Sequence, residues 1–271
     1  MKIINKGKVI LAGAGPGDPD LISVKALRYL RQADVVLTDR LVSPVLITDN
    51  ARKNAIIVYV GKQCFKGIHT PQLDINKLMI SFALQGLLVL RLKGGDASLF
   101  SNILDELKEL KENAIPYEIV PGISAAFGAA AYTGIPLTAR EHSRGIRFLT
   151  LFDLKSITEV QWKEWASTED TLVYYMSGQK LDQLAQQLYV NGIDPEKGIA
   201  IVQQATTPNQ KTVVLSFKQI KDTPLPEFEF VPTIIIVGNV VNLHKQYSWL
   251  EEQPVSGSYF DNHKNTYQNV I

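Results

Sequence analysis

Four short segments carry the residue types and spacings that bear on chemistry: GAGPGD at residues 13–18, KGGD at 93–96, VPGIS at 120–124 and VYYMSG at 173–178. Each follows an apolar run of strand length, and in open α/β sheets ligands bind in the loops beyond the carboxyl ends of strands. The first segment departs from the dinucleotide fingerprint G-x-G-x-x-G. Gly13, Gly15 and Gly17 are two apart, and Asp18 stands where the third glycine belongs. Pro16 removes an N–H and Asp18 would repel a phosphate. The turn therefore suits a neutral or cationic ligand resting on bare backbone, unless its glycines serve tight-turn geometry alone.

In the second segment, the pair Gly94 and Gly95 permits close backbone approach. Asp96 either faces a ligand or caps the helix that follows. In the third, Ser124 opens a helix of very small residues, which can lie close to a neighbouring element or to a flat ring. In the fourth, Met176 ends a strand and serves either as core filler or as a ligand contact. His69, His142, His244 and His263 are scattered, and Cys64 is the sole cysteine, so no metal centre is expected.

These loops need strands and helices to hold them. KVILAG, DVVLTD, AIIVYVG, LLVLRLKGGD and YEIVPG read as buried strands, with a helix after the first and helices around 74–84, 99–111 and 124–132. That alternation predicts a mainly parallel sheet covered on both faces. After the polar segment 133–145 the pattern restarts with IRFLTLF, TLVYYM, GIAIVQQA, KTVVLSF and TIIIVGNVV. TTPNQ between the third and fourth of these predicts a hairpin, hence a mixed sheet. The expected organisation is two α/β domains, at 1–140 and 146–245, followed by a polar, partly disordered tail at 246–271.

The whole chain sets outer bounds. With 271 residues and 45% hydrophobic content it can bury a full core without staples. Lys and Arg number 28 against 27 Asp and Glu, so no general attraction to nucleic acid or an anionic membrane is expected. No run reaches spanning length, the first apolar run is too short for a signal peptide, and a single cysteine fits a reducing compartment. A soluble cytoplasmic protein is expected.

VILAGAGPGDPDLISVKALRYLRQADVVLTDRLVS, VYVGK, PQLDIN, VLRLKGGD, IPYEIVPGISAA, AYTGIPLT, TLVYYM and TIIIVGNVV occur in an order that resembles the tetrapyrrole methylase family over residues 8–245. The match is nearest to its branch acting on uroporphyrinogen III. The resemblance implies two α/β domains with S-adenosyl-L-methionine bound in a cleft between them, S-adenosyl-L-homocysteine as by-product, and a homodimer. It implies that Pro16, Gly94, Gly95, Asp96, Leu99, Ser124, Ala125, Met176 and Ala205 line the cofactor pocket. It also implies methyl transfer to two pyrrole carbons in succession, giving precorrin-2 by way of precorrin-1 for sirohaem or cobalamin. Asp39 matches the family's proton acceptor and Lys62 its proton donor. A macrocycle with eight carboxylates needs cations, and Arg40, Lys62, Lys66, Arg140 and Arg144, with His69, are the candidates.

Three departures fall on the substrate side. Gln63 replaces an arginine, ASLFSNILDE lacks the family's arginine and glycine pair at Asn102, Ile103 and Leu104, and TLFD at 150–153 replaces Thr-Gly-His. They leave two other readings open: methylation of a later corrin precursor, or a cofactor-binding module without turnover.

Overall fold

The computed structural model describes residues 6–60, 62–63, 68–69, 71–151, 153–177, 180–222, 229–253 and 256–261, with backbone alone at 62–63, 68–69, 222 and 261. Packing divides the chain into two compact units: one runs to Ala125 and resumes at Tyr259, and the other is Ala126–Ser258.

The first unit contains β1 (Val9–Gly13), α1 (Val24–Gln32), β2 (Val35–Asp39), α2 (Pro44–Asn50), β3 (Ile56–Val60), the short β4 (Lys62–Gln63) and β5 (Ile68–His69), α3 (Gln72–Leu84), β6 (Val89–Lys93), α4 (Ile103–Glu112) and β7 (Tyr117–Val120). Its five-stranded sheet has the order β3-β2-β6-β1-β7, and every pairing is parallel. Side chains alternate between faces along a strand. Val9 and Leu11 therefore meet Ile75 and Met79 of α3 and Leu110 of α4, whereas Ile10 and Ala12 meet Ala26 and Leu30 of α1. Burial of each such aliphatic side chain contributes about 1.5–3 kcal/mol, which is why these strands are apolar on both faces.

The topology decides where a site can be. β1 leads to β2 on the far side of β6, while β6 leads to β7 on the far side of β1. The connections leaving these hydrogen-bonded neighbours run in opposite directions, the arrangement of a topological switch point. The loops after β1, β6 and β7 thus stand side by side. α4 begins at Ile103, four residues later than the sequence pattern predicts, because Phe100 and Asn102 adopt left-handed conformations (φ 52° and 54°) that a helix cannot contain.

The second unit holds most of α5 (Ala125–Thr133), then β8 (Ile146–Thr150), α6 (Glu159–Ser167), β9 (Thr171–Tyr175), α7 (Leu181–Val190), β10 (Gly198–Gln203), β11 (Lys211–Ser216), α8 (Phe217–Asp222), β12 (Thr233–Gly238) and α9 (His244–Tyr247). Its sheet order is β11-β10-β12-β9-β8. Only β8 and β9 pair in parallel, so the sheet is mixed as expected. Trp162 and Trp165 of α6 and Leu184 and Leu188 of α7 pack with Tyr174 of β9 in its core.

The polar segment 133–145 is folded into this unit. Ala139 and Ser143 form a bridge, and Ser143 Oγ accepts a hydrogen bond from the Thr171 N–H at 3.0 Å. Over its described part the tail makes specific contacts. Trp249 Nε1 donates to Ala131 O at 2.8 Å, and Glu252 accepts from Gln210 Nε2 (2.9 Å) and the Thr212 N–H (2.7 Å). Tyr259 Oη lies 2.8 Å from Ser43 Oγ, and Phe260 is 2% exposed. These polar residues find hydrogen-bond partners on the folded body.

Candidate functional site

The three glycine loops of the first unit are built against each other. Gly15 and Gly95 exchange N–H···O bonds of 3.1 and 2.8 Å, stitching the β1 loop to the β6 loop. A Cβ on Gly13 would stand 2.4 Å from Gly95 O and 2.7 Å from Gly122 Cα, so only bare backbone fits between the β1, β6 and β7 loops. A Cβ on Gly94 would likewise stand 2.9 Å from both Cβ and O of Leu41. Close packing between loops thus requires the glycines at 13 and 94, whereas Gly15 is required by its own turn, with φ +85° and a Cβ that would stand 2.8 Å from Leu21 O. Gly95 differs: its backbone is left-handed (φ +68°), and a methyl there would meet nothing nearer than Ala125 N at 3.6 Å, so its open side faces Ser124 and Ala125.

Asp96 resolves its own ambiguity. It lies far from the start of α4 and so does not cap that helix. One carboxylate oxygen accepts from the Ser98 N–H (2.8 Å) and Oγ (2.5 Å), and the other accepts from the Gly122 N–H (2.9 Å), tying the β6 loop to the β7 loop. Burial works against the charge, yet the Ser98 and Gly122 hydrogen bonds hold the carboxyl below the ordinary carboxylate range. Asp18 is committed in the same manner, accepting from the Asp20 N–H at 2.8 Å.

Segments 13–18, 94–101 and 121–124 contain no Lys, Arg or His. Lys93, next in sequence to the loop, turns its ammonium to Glu106 at 2.7 Å inside the sheet face. The loop set therefore offers fixed anionic charge and backbone groups, which fits a ligand bearing an ammonium, sulfonium or hydroxyl donors and not a phosphate. Around it, Pro16 and Ser124 are buried, while Leu99 and Ala125 are half-buried.

Asp39 ends β2, and its carboxylate is paired with Arg91 Nη2 at 2.5 Å. Arg91 Nε donates to Glu106 Oε1 at 2.8 Å. Burial alone would lower the Arg91 guanidinium, but the adjoining Asp39 and Glu106 carry it above its ordinary value. Burial, aided by the neighbouring Arg91 charge, pushes the Lys93 ammonium below its ordinary value against the pull of Glu106. Arg91, Lys93 and Glu106 were not among the residues singled out from sequence. The signal was there: VLRLK places two charges at alternate positions of an otherwise buried strand, and Glu106 falls between Ile103 and Leu110 on the apolar stripe of α4.

Arg40 follows Asp39 and is half-buried. β4 and β5 pair antiparallel with Lys62 opposite His69. Their side chains, and Lys66 and Cys64 entirely, lie outside the described residues. In the second unit, Arg140 and Arg144 are exposed.

The second unit has left-handed residues after two of its strands, at one end of its sheet. β9 and β10 both run antiparallel to β12, so their carboxyl ends coincide. Met176, just past β9, is 53% exposed with φ 53°, which excludes the core-filler alternative. Ala205, just past β10, lies between Gln204 (φ 48°) and Thr206 (φ 67°). Left-handed conformations at non-glycine residues cost of order 1–3 kcal/mol each and cluster at binding sites. Here they are held by bonds from the Gln204 N–H to Pro232 O (2.7 Å) and from the Thr206 N–H to Gln210 Oε1 (2.7 Å). Among the described residues no group of three or more His, Cys, Asp or Glu could hold a metal, and no helix is long and apolar enough to cross a membrane.

Comparison with known proteins points the same way. The family model for tetrapyrrole (corrin/porphyrin) methylases matches residues 8–221. The siroheme synthase of Stutzerimonas stutzeri (strain A1501) is 44% identical over 252 residues, covering 93% of this chain and 54% of that protein. The chain thus spans about half the length of the curated relatives it matches. The crystal structure of uroporphyrin-III-C-methyltransferase from Thermus thermophilus superposes with a TM-score of 0.73 at 31% identity, covering 90% of this chain and 98% of that one. A Thermus thermophilus structure complexed with S-adenyl homocysteine gives 0.71 at 31% identity, over 88% and 100%.

Proposed function

Because the chain belongs to the tetrapyrrole (corrin/porphyrin) methylases, we propose that it is an S-adenosyl-L-methionine-dependent C-methyltransferase that converts uroporphyrinogen III to precorrin-2 by way of precorrin-1, serving sirohaem or cobalamin synthesis. The observation that carries the reading is the Asp96 carboxylate, held anionic across the β6 and β7 loops with no cationic side chain in the loops around it. The bound cofactor supplies an electrophilic methyl group on a cationic sulfur. Asp96 accepts hydrogen bonds from its hydroxyl or amino groups. Gly94, Gly95, Ser124 and Ala125 give it main-chain groups, and Pro16 and Leu99 give it apolar walls. Met176 and Ala205 of the second unit serve the same ligand in this reading.

After each transfer the methylated framework, left cationic, loses one net proton to Asp39, and any proton that Lys62 supplies at one ring position is matched by a further proton lost at another. Arg40, Lys66, His69, Arg140 and Arg144 meet substrate carboxylates. With donor and acceptor carbon held in line, orientation supplies much of the rate, and no metal or covalent intermediate is needed. A cytoplasmic homodimer belongs to the same reading.

The test is incubation of purified protein with labelled S-adenosyl-L-methionine and uroporphyrinogen III, followed by mass spectrometry. The expected product carries two added methyl groups. A trimethylated product, or turnover only of a later corrin precursor, would move the reading to another branch of the family. Binding of S-adenosyl-L-homocysteine without any transfer would indicate a module that has lost turnover.

A further inference from the structure

We propose that Glu106, acting through Arg91, is a positioning residue for Asp39, and that the buried chain Asp39–Arg91–Glu106–Lys93 sets the geometry of the proton acceptor; this rests on the methyltransferase reading above. The chain crosses three elements. Arg91 and Lys93 stand two apart on one face of β6, Glu106 comes from the first turns of α4, and Asp39 ends the neighbouring β2. Glu106 is 0% exposed, Arg91 and Lys93 are each 3% exposed, and only Asp39, at 28%, reaches solvent. The two cations and two anions cancel.

The guanidinium is a rigid planar fork, so fixing one edge fixes the other. Glu106 Oε1 takes Arg91 Nε at 2.8 Å, which directs Nη2 to Asp39 at 2.5 Å. Nη1 leans on Leu37 O (3.4 Å) and Leu92 O (3.3 Å). Glu106 Oε2 is filled by Lys93 Nζ at 2.7 Å, so the anchoring carboxylate cannot swing. The ordered run, with a single solvent-facing end at the carboxylate matched to proton transfer, is a device for holding that carboxylate still. Desolvation offsets much of the Coulombic gain of buried ion pairs, so net stability alone does not account for such an arrangement.

The experiment compares wild-type protein with Glu106→Gln, Asp39→Asn and the double variant, by turnover of uroporphyrinogen III, calorimetric titration of S-adenosyl-L-homocysteine and 15N NMR of the Arg91 guanidinium in the ligand-free protein. Glu106→Gln is expected to lower kcat at least tenfold, with KM for the cofactor and affinity for S-adenosyl-L-homocysteine within twofold, and to speed rotation about the Arg91 Cζ–Nε bond. In the Asp39→Asn background the same change is expected to cost less than twofold. Losses that multiply in the double variant, an unchanged kcat, or unchanged guanidinium rotation overturn the proposal while the function stands. Wild-type protein that turns nothing over overturns both. Should Glu106→Gln fail to fold, Glu106→Gln/Lys93→Met removes one charge of each sign and is read by the same criteria.

Discussion

At the level of single residues, what distinguishes the glycine loops is how little room they leave. Gly13→Ala would push a methyl to 2.4 Å from Gly95 O, against backbone that cannot swing aside. Overpacking of this kind costs about 1–3 kcal/mol. Urea denaturation should show that loss, together with weaker S-adenosyl-L-homocysteine binding, because the displaced strand of backbone is the one carrying Asp96. The alanine variant binding as tightly as wild type would separate loop packing from the ligand site. Much of this was legible beforehand: the spacing of Gly13, Gly15 and Gly17, with Pro16 and Asp18, already argued against phosphate. What sequence could not tell was that the glycines face one another, since nothing local records which loops a topology brings together. Met176 was illegible for a different reason. A methionine after a strand reads as filler until its left-handed backbone and its exposure are seen.

At the level of elements, apolar runs of strand length were sufficient to find both five-stranded sheets, because strands buried on two faces leave a continuous apolar record. The start of α4 was misread, since the left-handed Phe100 and Asn102 carry no strong sequence signature. Electrostatics between elements gives a pH-dependent test. Glu118 on β7 accepts from Lys8 (2.5 Å) and Tyr29 of α1 (2.7 Å) and pairs with Lys25 of α1. Its carboxyl is lowered to about 2, chiefly by Lys25, then Lys8 and Tyr29. A carboxyl depressed in the folded state stabilises above its ordinary value of 4.5 and loses that contribution as pH falls toward 2. Wild type should therefore exceed Glu118→Gln in urea midpoint at pH 6, with the gap closing between pH 4.5 and 2. A gap that stays constant across that interval would mean the carboxylate does not couple β7 to α1. High salt should narrow the gap, since the pairs are largely exposed.

At the level of the whole molecule, the segment after residue 246 has the composition of a loose tail and the contacts of a fastening. Phe260 is 2% exposed within the first unit, and Phe→Ala at such a site costs about 3–5 kcal/mol. Phe260→Ala should lower the unfolding free energy by that amount, and Tyr259→Phe, which loses the bond to Ser43, by about 1 kcal/mol, both read from urea denaturation. If Phe260→Ala leaves the stability unchanged, the segment is not part of the first unit's core. The Ser43 contact matters beyond stability because Ser43 precedes α2 and stands four residues from Asp39.

The return of the chain at Tyr259 also bears on birth. Strands β1 to β7 emerge from the ribosome before any of the second unit's sheet, yet Phe260, buried in the same unit as those strands, is made after it. The earlier-synthesised lobe must wait, incompletely sealed, while more than a hundred residues are added behind it. Nascent chains halted near Ser258 should accordingly be cut by protease within the first lobe, and those extended past Phe260 far enough to clear the exit tunnel should resist.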